Sequence, residues 1–333
     1  MSVKASFHGM IGSSPTMEAL FQAVRDVSNI MVPVLIHGES GTGKELVARA
    51  IHAESDRREA PFHAVNTGAI PRELIESELF GHEKGSFTGA EGLRRGIFEA
   101  AKGGTVFLDE IGTMEERTQI SLLRFLETRR FTRVGGTVEH QADVRILAAS
   151  NVDLGAAVAE GEFRPDLFYR LNVFPIHIAP LRGREQDIRE LATHFLQRYA
   201  EEFQRKVNTI TPEALAALSS FHWPGNVRQL SNVMIRLVVG SRSDAIEAGD
   251  VTEALAQSMS SLGTDVAPPA SAATATVSPE GELSPGTSIE EAERQLIINK
   301  LSQEGISRTE AAKLLGISRK ALYNKIKQYD IEV

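Results

Sequence analysis

Short apolar runs alternate along the first half of the chain with stretches whose apolar positions recur every three or four residues. The runs "PVLIHG" (33–38), "PFHAVN" (61–66), "GTVFLDE" (104–110), "VRILAAS" (144–150) and "FPIHI" (174–178) are each bounded by Gly, Pro or polar residues and read as buried strands. Between them, "KELVARAIHAES" (44–55) and "TQISLLRFLE" (118–127) carry the spacing of amphipathic helices. Strand and helix in alternation predict an α/β fold of three layers, a mostly parallel sheet covered on both faces.

The pattern changes near residue 181. "REQDIRELATHFLQRYAEEF", "TPEALAALSSF" and "NVRQLSNVMIRLVV" follow one another as helices with no strand signal, which predicts a helical lid. Residues 258–287 are rich in Ser, Ala, Thr, Pro and Gly with almost no large apolar side chain, so they cannot offset the entropy of ordering and read as a linker. The end of the chain is helical again. "SIEEAERQLIINKLSQ" precedes two short helices joined near Gly316 and recapped by Ser318, a helix-turn-helix. The expected organisation is an α/β part over 1–180, a lid over 181–257, a linker over 258–287 and a small all-α domain over 288–333.

Composition narrows the functional classes. With 333 residues the chain can bury a sizeable core. No apolar run approaches the roughly 18 residues that span a bilayer, and "MSVKASFHGM" lacks the apolar stretch of a secretory signal. The absence of cysteine excludes disulfides and thiolate metal sites and fits a cytoplasmic location. The nine histidines show no metal-ligand spacing. Net charge is -8, yet residues 305–329 hold six Lys/Arg against one acid, a basic end on an acidic body that suggests a tethered DNA reader.

The chemistry-bearing motif is "GESGTGKE", comprising Gly38, Glu39, Ser40, Gly41, Thr42, Gly43, Lys44 and Glu45, between a predicted strand and a predicted helix. That context is the one a P-loop requires. Backbone N–H groups and a helix N-terminus wrap phosphates while Lys44 reaches the terminal ones. Glu45 stands where the generic pattern has a Mg²⁺-binding Ser or Thr. The strand "GGTVFLDEIG" ends in Asp109, suited to Mg²⁺, and Glu110, suited to polarising the attacking water. Arg164 and Arg170 admit two readings, surface cations in weak ion pairs or fingers reaching a neighbouring subunit's γ-phosphate. The stretch "GSFTGA" (Gly85, Ser86, Phe87, Thr88, Gly89, Ala90) also admits two, an exposed aromatic tip or a turn tucked against the core. In "SRKALYNKIKQY", Leu322, Ile326 and Tyr329 should pack inward, leaving Arg319, Lys320, Asn324, Lys325 and Lys327 outward. In a major groove, Arg319 and Asn324 would read bases while the lysines hold phosphates. The bland alternative is a solvated face of an interaction module.

In order along the chain, "GMIGSSPTM", "ESELFGHEKGSFTGA", "GGTVFLDEIG", "RVGG", "FRPDLFYRLNVFPI", "WPGNVRQL" and the terminal Fis-like helices closely resemble bacterial enhancer-binding proteins, AAA+ activators of RNA polymerase carrying sigma-54. The resemblance implies ATP and Mg²⁺ as cofactors. It implies sigma-54, RNA polymerase and enhancer DNA as partners, with a hexamer as active form and a dimer as inactive one. It makes GSFTGA the sigma-54 contact, Asn66 a polar switch on Glu110, and Ser150 with Asn151 sensor I. Arg228 matches sensor II, Arg164 and Arg170 match trans-acting fingers, and "RRFTRVGGTVEH" matches a second pore-loop hairpin turning at Gly135–Gly136. Asn66 as a turn cap and Arg228 as partner of a lid carboxylate remain the plain readings. Ser86 departs from the family's usual alanine, while Glu45 is usual for it. The chain begins at the AAA+ domain, so control by a separate protein is one expectation and a fragment of a longer regulator the other. A nucleotide-gated repressor of the same architecture is the alternative function.

Overall fold

The computed structural model describes residues 6–87 and 89–260. Five strands, β1 (Val34–His37), β2 (Phe62–Asn66), β3 (Thr105–Asp109), β4 (Arg145–Ser150) and β5 (Phe174–His177), form one sheet in the order β2-β3-β4-β1-β5. Every pairing in it is parallel. These are the five predicted runs. They read as continuous apolar stretches because both faces are covered: Leu35, Val106, Leu108, Ile146 and Ala148 enter one hydrophobic cluster, while Val34, Ile36, Phe107, Leu147 and Ala149 enter the cluster on the opposite side.

Helix α1 (Pro15–Ser28) and α2 (Lys44–Ala53) cover the second face; α3 (Arg72–Phe80), α4 (Glu116–Thr128) and α5 (Pro165–Leu171) lie with the first. In α1 the cap residue Ser14 accepts the Met17 N–H and Pro15 opens the first turn. Its C-terminal carbonyls meet an unusual partner. Arg145, 2 % exposed at the start of β4, donates to Val27 O at 2.6 Å and to Ser28 O. Burial lowers the Arg145 pKa to about 10.

The lid holds α6 (Glu185–Glu202), α7 (Pro212–Ser220), α8 (Asn226–Gly240) and α9 (Ala248–Ser260) around its own core, centred on fully buried Trp223, whose Nε1 donates to Leu218 O at 2.8 Å. Two details differ from the sequence reading. Thr209–Ile210 and Ala245–Ile246 pair as two short parallel strands, too brief to leave a period in the sequence. And α9, a helix the sequence reading did not single out, runs to Ser260, past the expected lid boundary at 257, with Val251, Ala254 and Ser258 buried on one helical side and Gln229 Nε2 3.1 Å from Ser258 Oγ. Among the described residues no helix is long and apolar enough to cross a membrane.

Candidate active site

The turn from β1 into α2 is built on glycine. Gly41 (φ +77°) and Gly43 (φ +104°) occupy the left-handed region, and a Cβ on Gly41 would stand 2.4 Å from Gly225 O of the lid. The loop therefore passes against the lid backbone at a distance only glycine allows. Lys44 opens α2 almost wholly buried, its Nζ donating to Gly38 O (2.9 Å) and Glu39 O (3.2 Å). Burial depresses the lysine's pKa, with Asp109 and Glu110 pulling the other way.

A cleft of about 560 Å³ lies over this turn. Ser40, Gly41, Thr42, Gly43, Lys44 and Glu45 form its floor, Asn66, Asp109 and Glu110 one side, Gly9, Met10 and Ile11 another, and Phe195, Arg198 and Arg228 the lid wall. Asp109 ends β3, and burial raises its carboxyl above the usual range while Lys44 opposes the shift. Glu110 follows with φ +58°, a left-handed conformation uncommon for glutamate, and its N–H donates to Asp109 Oδ1 at 3.0 Å. Thr67 holds this corner by donating its hydroxyl to both Asp109 O and Glu110 O at 2.9 Å. Gly68 leaves room beside it, since a Cβ there would lie 2.1 Å from Glu110 Oε2 and displace that carboxylate.

Several predicted residues stand elsewhere or do something else. Glu39 is not a cleft residue: its carboxylate turns to the lid, accepting from Arg182 (2.8 Å) and Asn226 Nδ2 (3.1 Å), and the Arg182 bond lowers its pKa to about 2. Gly38 lies beneath the floor, tied to β4 through Ser150 O (3.3 Å). Glu45 lines the cleft but gives its carboxylate to Arg49 one turn on. Asn66 caps the following 3₁₀ turn by accepting the Ala69 N–H at 3.1 Å. Ser150 is buried and bonds Val152 O at 2.7 Å, closing its own turn, and Asn151 is exposed; neither lines the cleft. Arg228 does, with its backbone N–H on Gly41 O and its guanidinium on Ser40 Oγ, both at 3.3 Å.

Arg164 and Arg170 bracket α5, the first at its cap and the second in its last turn. Arg164 pairs with Asp166 (2.7 Å) and Glu116 (3.1 Å), Arg170 is exposed, and neither lines the cleft of its own chain.

The GSFTGA stretch is folded back rather than extended. Gly85 and Gly89 have φ of +82° and +102°, the Gly85 N–H donates to Ala90 O at 2.8 Å, and Ala90 is buried. Phe87, half-buried, sets its ring edge-on to His82 at 4.9 Å, and His82 is held by Ser77 Oγ at 2.7 Å from Nδ1. Ser86 lies against Gly135 of the second loop, where its hydroxyl is buried without a hydrogen-bond partner among the described residues. That second loop is the expected hairpin, Arg130–Thr132 pairing antiparallel with Glu139–Gln141. It is stitched to the first by Glu83 N–H on Val134 O (3.1 Å) and by Arg133, which donates to Glu83 (2.9 Å) and twice to Glu99 (2.8 and 2.9 Å). Thr88 lies outside the described residues, as do Arg319, Lys320, Asn324, Lys325 and Lys327.

A glycine turn gripping a buried lysine, acids at the end of the adjoining strand, and a lid arginine over the same cleft define a P-loop nucleotide-hydrolysing domain with a helical lid. Residues 10–177 match the Sigma-54 interaction domain, 182–267 the AAA+ ATPase lid domain, and 288–329 the Fis family of bacterial regulatory proteins. The chain is 45% identical over 323 residues to Regulatory protein AtoC of Escherichia coli K12, covering 97% of this chain and 68% of that one. It is also 45% identical over 330 residues to the DNA-binding transcriptional regulator NtrC of the same organism, covering 97% and 70%. NtrX from Brucella abortus, crystallised in complex with ATP, superposes with a TM-score of 0.67 at 34% identity, covering 97% of this chain and 69% of that one. The chain belongs to the sigma-54-dependent transcriptional activators and is an AAA+ ATPase with a DNA-binding helix-turn-helix domain.

Proposed function

We propose that ATP is hydrolysed in the cleft above Lys44 at a boundary between protomers of a ring, a hexamer in its active form, and that turnover moves the GSFTGA loop against sigma-54. One observation carries the reading. Lys44, Asp109, Glu110 and Arg228 converge on one cleft that Arg164 and Arg170 of the same chain do not enter, which suits arginines acting on a neighbour. Lys44 binds the terminal phosphates, Glu110 takes the proton of the attacking water as its oxygen bonds to the γ-phosphorus, and the departing ADP oxygen is stabilised by Lys44 and the loop N–H groups. Arg228 fixes the lid over the nucleotide.

Asp109 suits a Mg²⁺ ion: it is a half-buried carboxylate beside the phosphate cradle, and Mg²⁺ on a nucleotide takes one or two carboxylates with phosphate oxygens and water. Among the described residues no cluster of three His, Cys, Asp or Glu offers a fuller cage. When bound, the ion neutralises charge developing on the phosphate oxygens. Asn66, near enough to Glu110 that both flank Gly68, releases or holds that carboxylate according to the nucleotide. Asn151 acts from the end of β4. The terminal domain reads enhancer DNA through Arg319 and Asn324, with Lys320, Lys325 and Lys327 on phosphates.

The test is co-migration of the full chain with sigma-54 in the presence of an ATP transition-state mimic. Wild type should form the complex; Thr88→Ala should keep ATPase activity and lose both the complex and open-promoter formation. Activation of transcription by Thr88→Ala at the wild-type level refutes the loop's role.

A further inference from the structure

Asn226 begins α8 two residues before Arg228, and its side chain is fully buried between the lid and the P-loop rather than in either core. It has φ +50°, a conformation asparagine tolerates better than most residues. All of its hydrogen-bonding groups are engaged. Its Oδ1 accepts the Leu181 N–H at 2.8 Å, and its Nδ2 donates to Ser40 O at 3.0 Å and to Glu39 Oε2 at 3.1 Å. Leu181 and Arg182 belong to the short 3₁₀ turn that leads from the sheet into the lid, and Arg182 holds both oxygens of the Glu39 carboxylate, sharing Oε2 with Asn226. One amide thus ties together the P-loop, the connector and the helix that carries Arg228. Lys44 grips the two carbonyls just before the one Asn226 holds, Gly38 O and Glu39 O ahead of Ser40 O. Any movement of Lys44 onto a phosphate frees those two carbonyls and changes the restraint on the segment that Asn226 holds.

We propose that Asn226 is a positioning residue of the ATPase: with Glu39 it transmits the state of P-loop residues 39–40 to the connector at 181–182 and sets where Arg228 stands over the cleft. Plain packing is the competing account. An apolar side chain would fill the space equally well, whereas three directional bonds to backbone and carboxylate fix a relative position. The proposal rests on the cleft being a nucleotide site.

The test uses the full chain with ADP, hydrogen exchange as the main readout, and ATPase kinetics beside it. In wild type, ADP should slow exchange of the 41–44 amides and also alter exchange at 181–183. Asn226→Gly keeps the backbone angle and deletes all three bonds; the Leu181 amide should exchange about tenfold faster or more, for the loss of a buried partner. ADP should still protect 41–44 but no longer alter 181–183. Arg228→Ala should raise KM in wild type and add little in the Asn226→Gly background, because the joint that places Arg228 is already gone. Asn226→Asp keeps the acceptor for Leu181 but sets an acceptor against Ser40 O and Glu39, so Leu181 protection should survive while the ADP response at 181–183 is lost. The proposal is overturned if ADP alters 181–183 equally in both variants and wild type, or if Arg228→Ala costs as much with Asn226→Gly as without it. Failure of ADP to protect 41–44 in wild type would instead remove the nucleotide-site reading.

Discussion

Replacing Ser86 by alanine should hold the GSFTGA loop more firmly in its folded-back position. The serine hydroxyl is buried against the Gly135 turn with no partner among the described residues, whereas alanine, the residue usual in the family it resembles, asks for none. A buried hydroxyl left unpaired costs about 1–3 kcal/mol. Deleting one oxygen leaves a void of roughly 10–15 Å³, which at about 24 cal/mol per Å³ returns some 0.3 kcal/mol of that gain. The net is about 0.7–2.7 kcal/mol in favour of the folded-back loop, a factor of about 3–100 in its opening equilibrium. The assay is hydrogen exchange at the Gly85 and Ala90 amides, which donate to Ala90 O and Phe87 O and are exposed to solvent exchange only when the loop opens. Ser86→Ala should slow both by that factor while leaving amides of the central sheet unchanged. Equal or faster exchange in the variant would refute the reasoning, because it would mean that the hydroxyl is satisfied or that the loop does not open through this contact.

Lys44→Ala should weaken binding of a fluorescent ADP at least about 100-fold, since the proposed mechanism makes this buried, cleft-lining ammonium the main phosphate partner; wild-type affinity would refute its role. Glu110→Gln and Arg164→Ala should each lower turnover about 10²-fold or more, as loss of a general base or an arginine finger does. An equal mixture of these two inactive chains should recover about a quarter of wild-type activity, the share of random head-to-tail boundaries that unite an intact Glu110 with an intact Arg164; no recovery would put the arginine's action within its own chain. Acidification should loosen the lid from the P-loop. Glu39 has a folded pKa of about 2 against an ordinary 4.5, so its contribution is complete above 4.5 and is lost as pH falls toward 2. Glu39→Gln should flatten that pH dependence when protection of the connector amides is followed by hydrogen exchange, and an unchanged profile would refute the assignment.

All five sheet strands were legible because burial on both faces makes each an apolar run, a signal that needs no tertiary information. The P-loop and the Asp109–Glu110 pair were legible for the same local reason, a motif in its strand–turn–helix setting. What escaped was direction. Glu39 sits inside the most recognisable motif of the chain yet faces the lid, because Arg182, 143 positions later, offers a cation there. Asn151 follows the end of β4, which spacing alone does not distinguish from contact with the cleft, whereas Asn66 lines the cleft and also caps its turn, as its plain reading had it. The coupling of the two loops depends on Arg133 meeting Glu83 and Glu99, 50 and 34 residues away, and the folded-back Phe87 on the ring of His82, a contact no local pattern announces. Asn226 carried one hint, a polar residue at the start of a strongly amphipathic helix directly after a glycine.

Met10 and Ile11 are neighbours in the chain, yet Met10 is embedded in the cluster beneath the sheet and Ile11 in the core of the lid. They are flanked by Gly9 at φ +82° and Gly12 at φ +151°, and Gly12 has no room for a side chain because Asp187 stands 2.8 Å from where its Cβ would be. A single peptide link is therefore anchored to two bodies at once. Whenever the two rotate relative to each other, that link is twisted like a torsion bar, and its glycine neighbours are the swivels that let it turn without pulling either anchor from its oil.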